Sequence, residues 1–309
     1  MKITNNYTDH KVRKWIYKQV AKFPNLYESM IKGTVFIKDL KYNSIIRNSI
    51  EQHYNSKNLP LFTHVFIETI SRCNGRCSFC QVNIDADIRK FSLMSEETFL
   101  NIIQQLKKLN YQKILYFHRN NEALMDKRVY KFIQIARENL PNANIRLFTN
   151  GTLLNVEKFK SLTKYLTMLK INNYNDNLEL NEPTKEIVNY CNNDSQYDNK
   201  VKISIRRETE LLKNRASSYV NRKISFKLKS PCLYPFKQFN ICASGKVVLC
   251  CNDAWEEEVL GDINHESMLD IWYGDKFKDI REKNIKGRDN IKICSSCDIL
   301  HVPKTLRKN

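Results

Sequence analysis

Three cysteines within eight residues constrain this chain more than any other feature of its sequence. They stand in the run Cys73-Asn-Gly-Arg-Cys77-Ser-Phe-Cys80, directly after an apolar, β-rich segment. Gly75 lets the backbone turn tightly, so that the three thiolates can converge. Three soft ligands suit three corners of a 4Fe–4S cluster and leave the fourth iron open. Zinc is the alternative, although closed structural zinc sites take four ligands and usually present C-x2-C pairs.

The composition places the chain among globular proteins. Of its 309 residues, 42% are hydrophobic and 27% are charged, as in an ordinary folded protein. No apolar run approaches the roughly 20 residues that span a bilayer, and the N-terminus has no apolar signal region. We therefore expect a cytoplasmic protein whose ten cysteines bind metal or are simply buried, rather than pairing as disulfides.

The net charge of +18 is compatible with an anionic partner, such as a nucleotide, a phosphorylated sugar, RNA or a membrane surface. Lys and Asn are abundant throughout the sequence, so a compositional bias is the stronger explanation of the charge. No motif combines basic and aromatic residues in the manner of nucleic-acid recognition, and we do not expect nucleic-acid binding.

Between about residues 61 and 230, short β-rich runs alternate with helical segments, which is the pattern of successive βα units. The sequence predicts strands over 63–70, 113–118, 144–150, 166–171 and 200–205. It predicts helices near 95–109, 127–139, 155–163 and 181–192, the first of them capped by Ser95. This order predicts an α/β fold with a parallel sheet, open or curled into a partial barrel, and a site at the C-terminal ends of its strands.

The cysteine loop resembles the signature of the radical S-adenosylmethionine (SAM) superfamily, in which an aromatic residue such as Phe79 precedes the third cysteine. The resemblance implies a partial (β/α)6 barrel resembling a TIM barrel. It also implies that Cys73, Cys77 and Cys80 hold a 4Fe–4S cluster, whose free iron binds the amino and carboxylate groups of SAM. An injected electron then breaks a C–S bond of SAM and yields a 5′-deoxyadenosyl radical.

The resemblance extends to the next two strand ends. Glu122, preceded by Asn121, stands where many members carry a Gly-Gly-Glu-Pro-like run that holds the methionine amine. Other positions of this run depart from the pattern, so the local backbone is expected to differ: Arg119, Asn120 and Ala123. Asn150 belongs to a T-N-G-T-L-L run that is similar to one in members with SPASM or twitch domains, and it is expected to point into the barrel mouth.

Four further residues are candidates for contacts in the same site. Ser204 and Arg206 follow the fifth predicted strand and would contact the nucleoside of SAM. Arg215 lies in an N-R-A segment that resembles one whose arginine faces substrate, and a surface arginine is the alternative. His118, at a strand end, is either a substrate contact or a hydrogen-bonded part of the pocket wall.

A second cysteine group begins at Cys232 and ends with the pair Cys294 and Cys297. The segment FNICASGKVVLCCND predicts a β-hairpin, and the segment after it predicts a loop and an amphipathic helix that leads to the last pair. The spacing of Cys232, Gly245 and Cys250 resembles the opening of SPASM and twitch domains. The resemblance implies one auxiliary 4Fe–4S cluster with four ligands: Cys232, Cys250, Cys294 and Cys297. A zinc site remains the alternative, because four thiolates also suit zinc.

Three cysteines remain outside this ligand set. Cys251 could replace Cys250 as a ligand, Cys242 is interpreted as a buried hairpin cysteine, and Cys191 as incidental. The chain is thus divided into a basic helical extension over 1–60, a barrel over 61–230 and an auxiliary cluster domain over 231–309. A short helix is expected in the extension, with Val12, Trp15, Ile16 and Val20 on one face.

The small appendage with one cluster resembles that of radical SAM dehydrogenases from aminoglycoside biosynthesis. This resemblance implies oxidation of a sugar or cyclitol alcohol, anionic if the basic charge reflects its substrate, with the auxiliary cluster as electron acceptor. A flavodoxin or ferredoxin would supply the first electron. The alternative is a peptide or protein maturase that forms a crosslink, an epimer or an oxidised side chain.

Overall fold

The computed structural model describes residues 2–5, 24–54, 59–192, 194–209, 216 and 227–300. The predicted short helix with Trp15 and the substrate candidate Arg215 lie outside these residues. The division of the chain into three regions at residues 60 and 230 stays a prediction.

The predicted alternation of strands and helices is confirmed between residues 61 and 209. The first six strands have the bounds β1 Lys2–Asn5, β2 His64–Ile67, β3 Ile114–Tyr116, β4 Asn144–Thr149, β5 Met168–Tyr174 and β6 Val201–Arg206. The first five helices have the bounds α1 Pro24–His53, α2 Glu96–Lys108, α3 Val129–Asn139, α4 Val156–Tyr165 and α5 Glu182–Cys191.

Helix α2 forms where the sequence predicts it, for two physical reasons. Ser95 caps its first turn, because the Ser95 hydroxyl accepts a hydrogen bond of 2.9 Å from the backbone N–H of Thr98. Four of its apolar side chains stand at helical spacing and are buried: Phe99, Ile102, Ile103 and Leu106. The helix therefore covers the outer face of the barrel and holds the adjacent strands in place.

Within the described residues, nine strands form one sheet in the order β1-β6-β5-β4-β3-β2-β7-β8-β9. The pairs from β1 to β7 are all parallel, which gives the predicted partial barrel. The last three strands have the bounds β7 Gln238–Ile241, β8 Lys246–Val248 and β9 Val259–Asp262. Strand β1, which the sequence analysis did not predict, pairs with β6 at the edge of the sheet.

The C-terminal part continues this sheet. Strand β7 pairs in parallel with β2, and β7, β8 and β9 then form an antiparallel meander. The predicted hairpin corresponds to β7 and β8. Strand β9 replaces the predicted loop, since Leu260 of this strand is buried beside the hairpin.

The predicted C-terminal helix consists of two helices, α6 (Met268–Tyr273) and α7 (Asp275–Lys286). Gly274 separates them, and a Cβ atom at this position would lie 2.5 Å from the Asp270 carbonyl oxygen. Helix α7 packs Phe277 and Ile280 into the core.

Helix α1 runs for 30 residues beside the barrel. Ile46 and Ile50 are buried with Phe236, whereas Phe36 and Ile37 are more than half exposed. Its apolar residues lie around the whole helix instead of on one stripe, so the sequence pattern gave no clear helical signal. No helix in the described part of the chain combines the length and the apolar character needed to cross a membrane.

Candidate active site

The loop that carries the first three cysteines begins after β2, at the C-terminal edge of the parallel sheet. Gly75 donates its N–H to the Cys73 sulfur at 3.3 Å. Asn83 closes the loop, because its side-chain amide donates to the carbonyl oxygens of Cys77 and Cys80 at 3.1 and 2.7 Å. Asn83 belongs to no motif in the sequence, and the sequence analysis did not identify it.

The thiols of this loop converge on the space beside Gly75. A Cβ atom at Gly75 would lie 3.4 Å from the Cys73 sulfur and 3.9 Å from the Cys77 sulfur. The pKa of the Cys73 thiol is raised to about 12, mainly by burial, with the nearby Glu122 and Cys80 contributing in the same direction. Burial likewise raises the pKa of Cys77, with Cys80 and Cys73 contributing. Several buried thiols that disfavour each other's ionisation form a site that a cationic metal centre would stabilise.

Glu122 is buried and bonded to protein through both carboxylate oxygens. Its Oε1 accepts hydrogen bonds from the Thr149 hydroxyl at 2.7 Å and the Leu124 N–H at 3.2 Å. Its Oε2 accepts the N–H of Asn150 at 2.7 Å. Burial raises the pKa of Glu122, and the same hydrogen bonds oppose this effect. The carboxylate therefore fixes the end of β4, and Asn150 with it.

Asn150 in turn contacts the cysteine loop. Its Nδ2 donates to Asn74 Oδ1 at 2.8 Å, and its Oδ1 accepts from the backbone N–H and the hydroxyl of Thr152 at 3.0 and 2.8 Å. The predicted motif residues Glu122 and Asn150 thus lie together with the cysteines, as parts of one hydrogen-bonded framework.

A network of buried ion pairs among Glu68, Arg89 and Arg119 supports this hydrogen-bonded framework. Glu68 pairs with Arg89 through one oxygen and with Arg119 through the other, each at 3.1 Å. Arg89 also donates to the carbonyl oxygens of Ser71 and Asn120 at 3.0 and 2.8 Å. Arg119 donates to the carbonyl oxygen of Asp253. This network joins the cysteine loop, the end of β3 and the C-terminal part. Arg89 stands in no motif, and Arg119 was noted only as a departure from the family's run.

The cysteine loop forms one wall of a cavity of about 520 Å³ inside the barrel. Most of the predicted site residues line this cavity together: Cys73, Cys77, Phe79, Cys80, His118, Asn121, Glu122, Asn150 and Arg206. Ser204 is not among the lining residues, and its hydroxyl lies 3.2 Å from that of Thr4. On the far side, the ring centroids of Phe79 and Tyr174 are 5.9 Å apart, and the guanidinium of Arg206 lies 5.9 Å from the Tyr174 ring.

Two buried amide atoms at the cavity wall have no hydrogen-bond partner within the described residues. They are Nδ2 of Asn121, a donor, and Oδ1 of Asn172, an acceptor. Buried polar groups are nearly always hydrogen-bonded, so these two atoms indicate a polar ligand in the cavity. Asn172 was not predicted, since a lone asparagine in a strand carries no recognisable signal.

His118 is held as a neutral ring in the same cavity. Its Nδ1 accepts the backbone N–H of Phe148 at 3.2 Å, and its ring stacks on Phe148 with centroids 4.3 Å apart. Its pKa is lowered to about 3, mainly by burial and also by the nearby positive charge of Lys170. Since Nδ1 accepts a hydrogen bond, the ring proton resides on Nε2. His118 can therefore donate a hydrogen bond to a ligand through Nε2.

The second cysteine group lies between β8 and the C-terminal helices. Burial raises the pKa of Cys250, and Cys251, Cys294, Cys232 and Cys297 all raise it further. Asn284 of α7 fixes the backbone of Cys232 from both sides, because it accepts the Cys232 N–H at 2.9 Å and donates to its carbonyl oxygen at 2.8 Å. The four predicted ligands are thus neighbours, and Cys251 lies close to them and also lines the barrel cavity.

The spacing of the thiols bears on the choice between zinc and a larger cluster. Within the described ranges, the one trio of possible ligands whose atoms lie within 4.8 Å of each other is Glu68, Cys242 and Glu256. Four sulfurs around one zinc ion lie only about 3.8 Å apart, given Zn–S bonds of about 2.3 Å. In neither cysteine set do the described sulfurs all lie this close together. The trio itself is unsuited to a cation, because two arginines already bind Glu68.

Comparisons with known proteins agree with this geometry. A family model for the radical SAM superfamily matches residues 67–189, and a model for the SPASM iron–sulfur cluster-binding domain matches residues 232–298. A curated relative is the S-adenosyl-L-methionine-dependent 2-deoxy-scyllo-inosamine dehydrogenase of Niallia circulans. It is 24% identical over 244 residues, which cover 78% of this chain and 95% of the relative.

Two solved structures share the fold. The crystal structure of BtrN in complex with AdoMet and 2-DOIA has a TM-score of 0.66 at 23% identity, covering 79% of this chain and 95% of that chain. Native anSMEcpe with bound AdoMet has a TM-score of 0.51 at 13% identity, covering 77% of this chain and 88% of that chain. These likenesses confirm the predicted partial-barrel architecture with its C-terminal domain.

Proposed function

Because the chain belongs to the radical SAM superfamily and carries a SPASM iron–sulfur domain, we propose that it oxidises an alcohol group of a sugar or cyclitol to a ketone. The first domain implies a SAM-binding 4Fe–4S cluster with SAM, and the second implies an auxiliary iron–sulfur cluster. The relative from Niallia circulans, a cyclitol dehydrogenase by its name, supports this choice of reaction.

One observation carries the proposal: a single small cavity touches both cysteine groups. Cys73, Cys77 and Cys80 line it on one side, and Cys251 lines it on another. Cys251 is adjacent in sequence to Cys250, which lies among the thiols of the second group. A substrate in this cavity would lie between the two clusters. The carbon to be oxidised would face the first cluster, and the second cluster would be close enough to accept an electron from the substrate.

We assign the first cluster to Cys73, Cys77 and Cys80, and the auxiliary 4Fe–4S cluster to Cys232, Cys250, Cys294 and Cys297. When bound, the clusters and SAM supply a 5′-deoxyadenosyl radical for hydrogen abstraction and an acceptor for one electron. Oxidation of an alcohol to a ketone then balances: one hydrogen atom leaves the carbon, one proton leaves the hydroxyl, and one electron remains to be accepted. A flavodoxin or ferredoxin would supply the electron that starts each turnover.

The residues of this chain supply orientation. Glu122 and Asn150 hold the strand ends against the cysteine loop, so that the cosubstrate meets a fixed wall. Asn121 and Asn172 offer one donor and one acceptor to the bound molecules. The Nε2–H of His118 would donate to a substrate oxygen, because its other ring nitrogen is occupied.

The size of the cavity favours a small substrate. A volume of about 520 Å³ lies within the range of roughly 300–1,000 Å³ that is typical of small-molecule sites. This cavity would have to hold both SAM and the substrate. A sugar or cyclitol ring meets that condition better than the polypeptide that a maturase would need to bind.

The test is turnover by anaerobically reconstituted protein with dithionite and SAM. The probes are 2-deoxy-scyllo-inosamine, myo-inositol, myo-inositol 1-phosphate and glucose 6-phosphate, and the products are followed by mass spectrometry. We expect one of these alcohols to give a ketone, with one 5′-deoxyadenosine formed per ketone. Abundant 5′-deoxyadenosine without any ketone, or modification of a peptide instead, would contradict the proposal.

A further inference from the structure

Cationic side chains line the inner face of the barrel. In β5, buried and partly exposed residues alternate, so that Leu169 and Ile171 face the helices while Lys170 and Asn172 face the interior. Lys170 is paired in register with Phe148 of β4 and with Lys202 of β6. Arg206 lies on the same face of β6 and, like Lys170, lines the cavity.

No carboxylate in the described part of the cavity wall is available to neutralise Lys170. Glu122 is the one acidic residue among the lining residues that the structure describes. Its two oxygens already accept three hydrogen bonds, from Thr149, Leu124 and Asn150. The described wall of the cavity therefore offers Lys170 no carboxylate partner.

Lys170 is the clearest case of an unbalanced charge. Within the described residues it forms neither an ion pair nor a hydrogen bond, and its ammonium group lies 5.3 Å from the centroid of the Phe148 ring. Burial lowers its pKa, and the neighbouring Arg206 and Lys202 lower it further. A partly buried charge without a partner among the described residues is unfavourable, so an anionic ligand would stabilise the charged form of this lysine.

The position of Lys170 separates it from the residues assigned to SAM. Glu122 and Asn150 lie at the strand ends beside the cysteine loop. Lys170 lies deeper, because its partner on β4 is Phe148, two residues before Asn150. Two residues of a strand span about 6–7 Å. The carboxylate of SAM, which belongs beside the cysteine loop, would therefore leave Lys170 without a partner.

We propose that Lys170 forms an anion subsite for the substrate, which would be a sugar or cyclitol that carries a phosphate or a carboxylate. This inference rests on the proposed function for the identification of the cavity as the substrate site. It places the recognition of an anionic group at one position in the barrel. The lysines and arginines that give the chain its net positive charge are, by contrast, distributed along the whole sequence. A substrate that carries a free ammonium group would be repelled at this position.

The test measures binding instead of turnover. Holoprotein saturated with SAM is titrated under nitrogen by calorimetry with glucose 6-phosphate, glucuronate, glucose and glucosamine at up to millimolar concentrations. We expect a phosphate or carboxylate probe to bind at least about tenfold tighter than glucose, since a charge-assisted hydrogen bond commonly contributes this much. Comparison of the phosphate with the carboxylate identifies which anion the subsite prefers.

Three variants show whether the preference arises at Lys170. Lys170→Met should abolish the preference for the anionic probe and leave glucose binding unchanged, whereas Lys170→Arg should retain most of it. Lys278→Met, which removes an exposed lysine of α7, should behave as wild type. The affinity for SAM should be the same in all of these proteins.

Several results would overturn the inference: equal binding of charged and neutral probes, tightest binding of glucosamine, no detectable binding of either anion, or an equal loss of SAM affinity in Lys170→Met. The readout also separates this inference from the proposed function. Anion preference without ketone formation from any alcohol would contradict the proposed reaction alone. Ketone formation without anion preference would contradict the subsite alone.

Discussion

The side-chain amide of Asn150 donates a hydrogen bond of 2.8 Å to Asn74 Oδ1 and thereby joins the end of β4 to the first cysteine loop. Asn74 lies between Cys73 and Gly75, at the turn on which the thiols converge. The side-chain NH2 group of Asn74 in turn donates a hydrogen bond to the Thr152 hydroxyl at 3.0 Å. The position of the cysteine loop relative to the barrel mouth is therefore set by amide hydrogen bonds between two loops.

We predict that this contact matters for the use of SAM. Asn74→Ala and Asn150→Ala should each lower kcat/KM for SAM cleavage, and the two effects should not add. The coupling between them is expected to be about 1 kcal/mol, which is the contribution of a typical buried hydrogen bond. A double-mutant cycle on 5′-deoxyadenosine formation measures it, with iron content as the control for cluster loading. Fully additive effects would show that the two side chains act independently.

A second prediction concerns the space beside Gly75. A Cβ atom there would already be in contact with the sulfurs of Cys73 and Cys77, so the branched side chain of Gly75→Val would occupy the volume that a cluster needs. We expect the iron content after reconstitution to fall from about eight to about four atoms per chain, because one of two 4Fe–4S clusters is lost. Thermal unfolding of the protein before reconstitution should change little. An unchanged iron content in Gly75→Val would argue against this position for the cluster.

The buried ion network gives a third prediction. Arg119→Met leaves Glu68 with one arginine in place of two and removes the donor to the Asp253 carbonyl oxygen. Breaking a buried ion pair in this way should lower the free energy of unfolding by about 3 kcal/mol or more. Urea unfolding measures the change. Lys131→Met, which removes an exposed ion pair with Glu96, is the matched control and should cost about 0.5 kcal/mol or less.

His118 leads to a prediction about pH. Burial lowers its pKa from the ordinary value of 6.5 to about 3. Between these two values the unfolded chain binds a proton at this position and the folded chain does not, so folded stability falls as the pH decreases below about 6.5. Wild type should lose up to about 1.4 kcal/mol per pH unit there, relative to His118→Asn, whose amide oxygen can still accept the Phe148 N–H. Urea unfolding at pH 7.5, 6.5 and 5.5 tests this, and a stability difference that does not change with pH would contradict it.

The sequence predicted those parts of the fold that follow from a regular pattern. Helix α2 has a capping serine and apolar residues at helical spacing, and the strands from β2 to β6 are short, apolar runs between polar turns. Strand β1 and helix α1 were missed because neither carries such a pattern. The four residues of β1 become a strand only through pairing with β6, and such a long-range contact leaves no local mark in the sequence.

The same distinction applies to the site. The cysteines, Glu122 and Asn150 could be identified because they stand in motifs with a recognisable spacing. Asn83, Arg89, Asn172 and Lys170 could not, since each is a single polar residue whose role depends on what the fold places beside it. Arg89, for example, joins Glu68 and the Ser71 carbonyl oxygen, at the end of β2, to the Asn120 carbonyl oxygen after β3.

The central claim is that Cys73, Cys77 and Cys80 together support reductive cleavage of SAM. The most direct measurement is 5′-deoxyadenosine formation by anaerobically reconstituted protein with dithionite and SAM, in wild type, in Cys191→Ala and in the variant with all three loop cysteines changed to alanine. We predict that wild type and Cys191→Ala form 5′-deoxyadenosine, and that the triple variant forms none while it keeps its auxiliary cluster. Equal cleavage by the triple variant, or none by fully loaded wild type, would contradict the account.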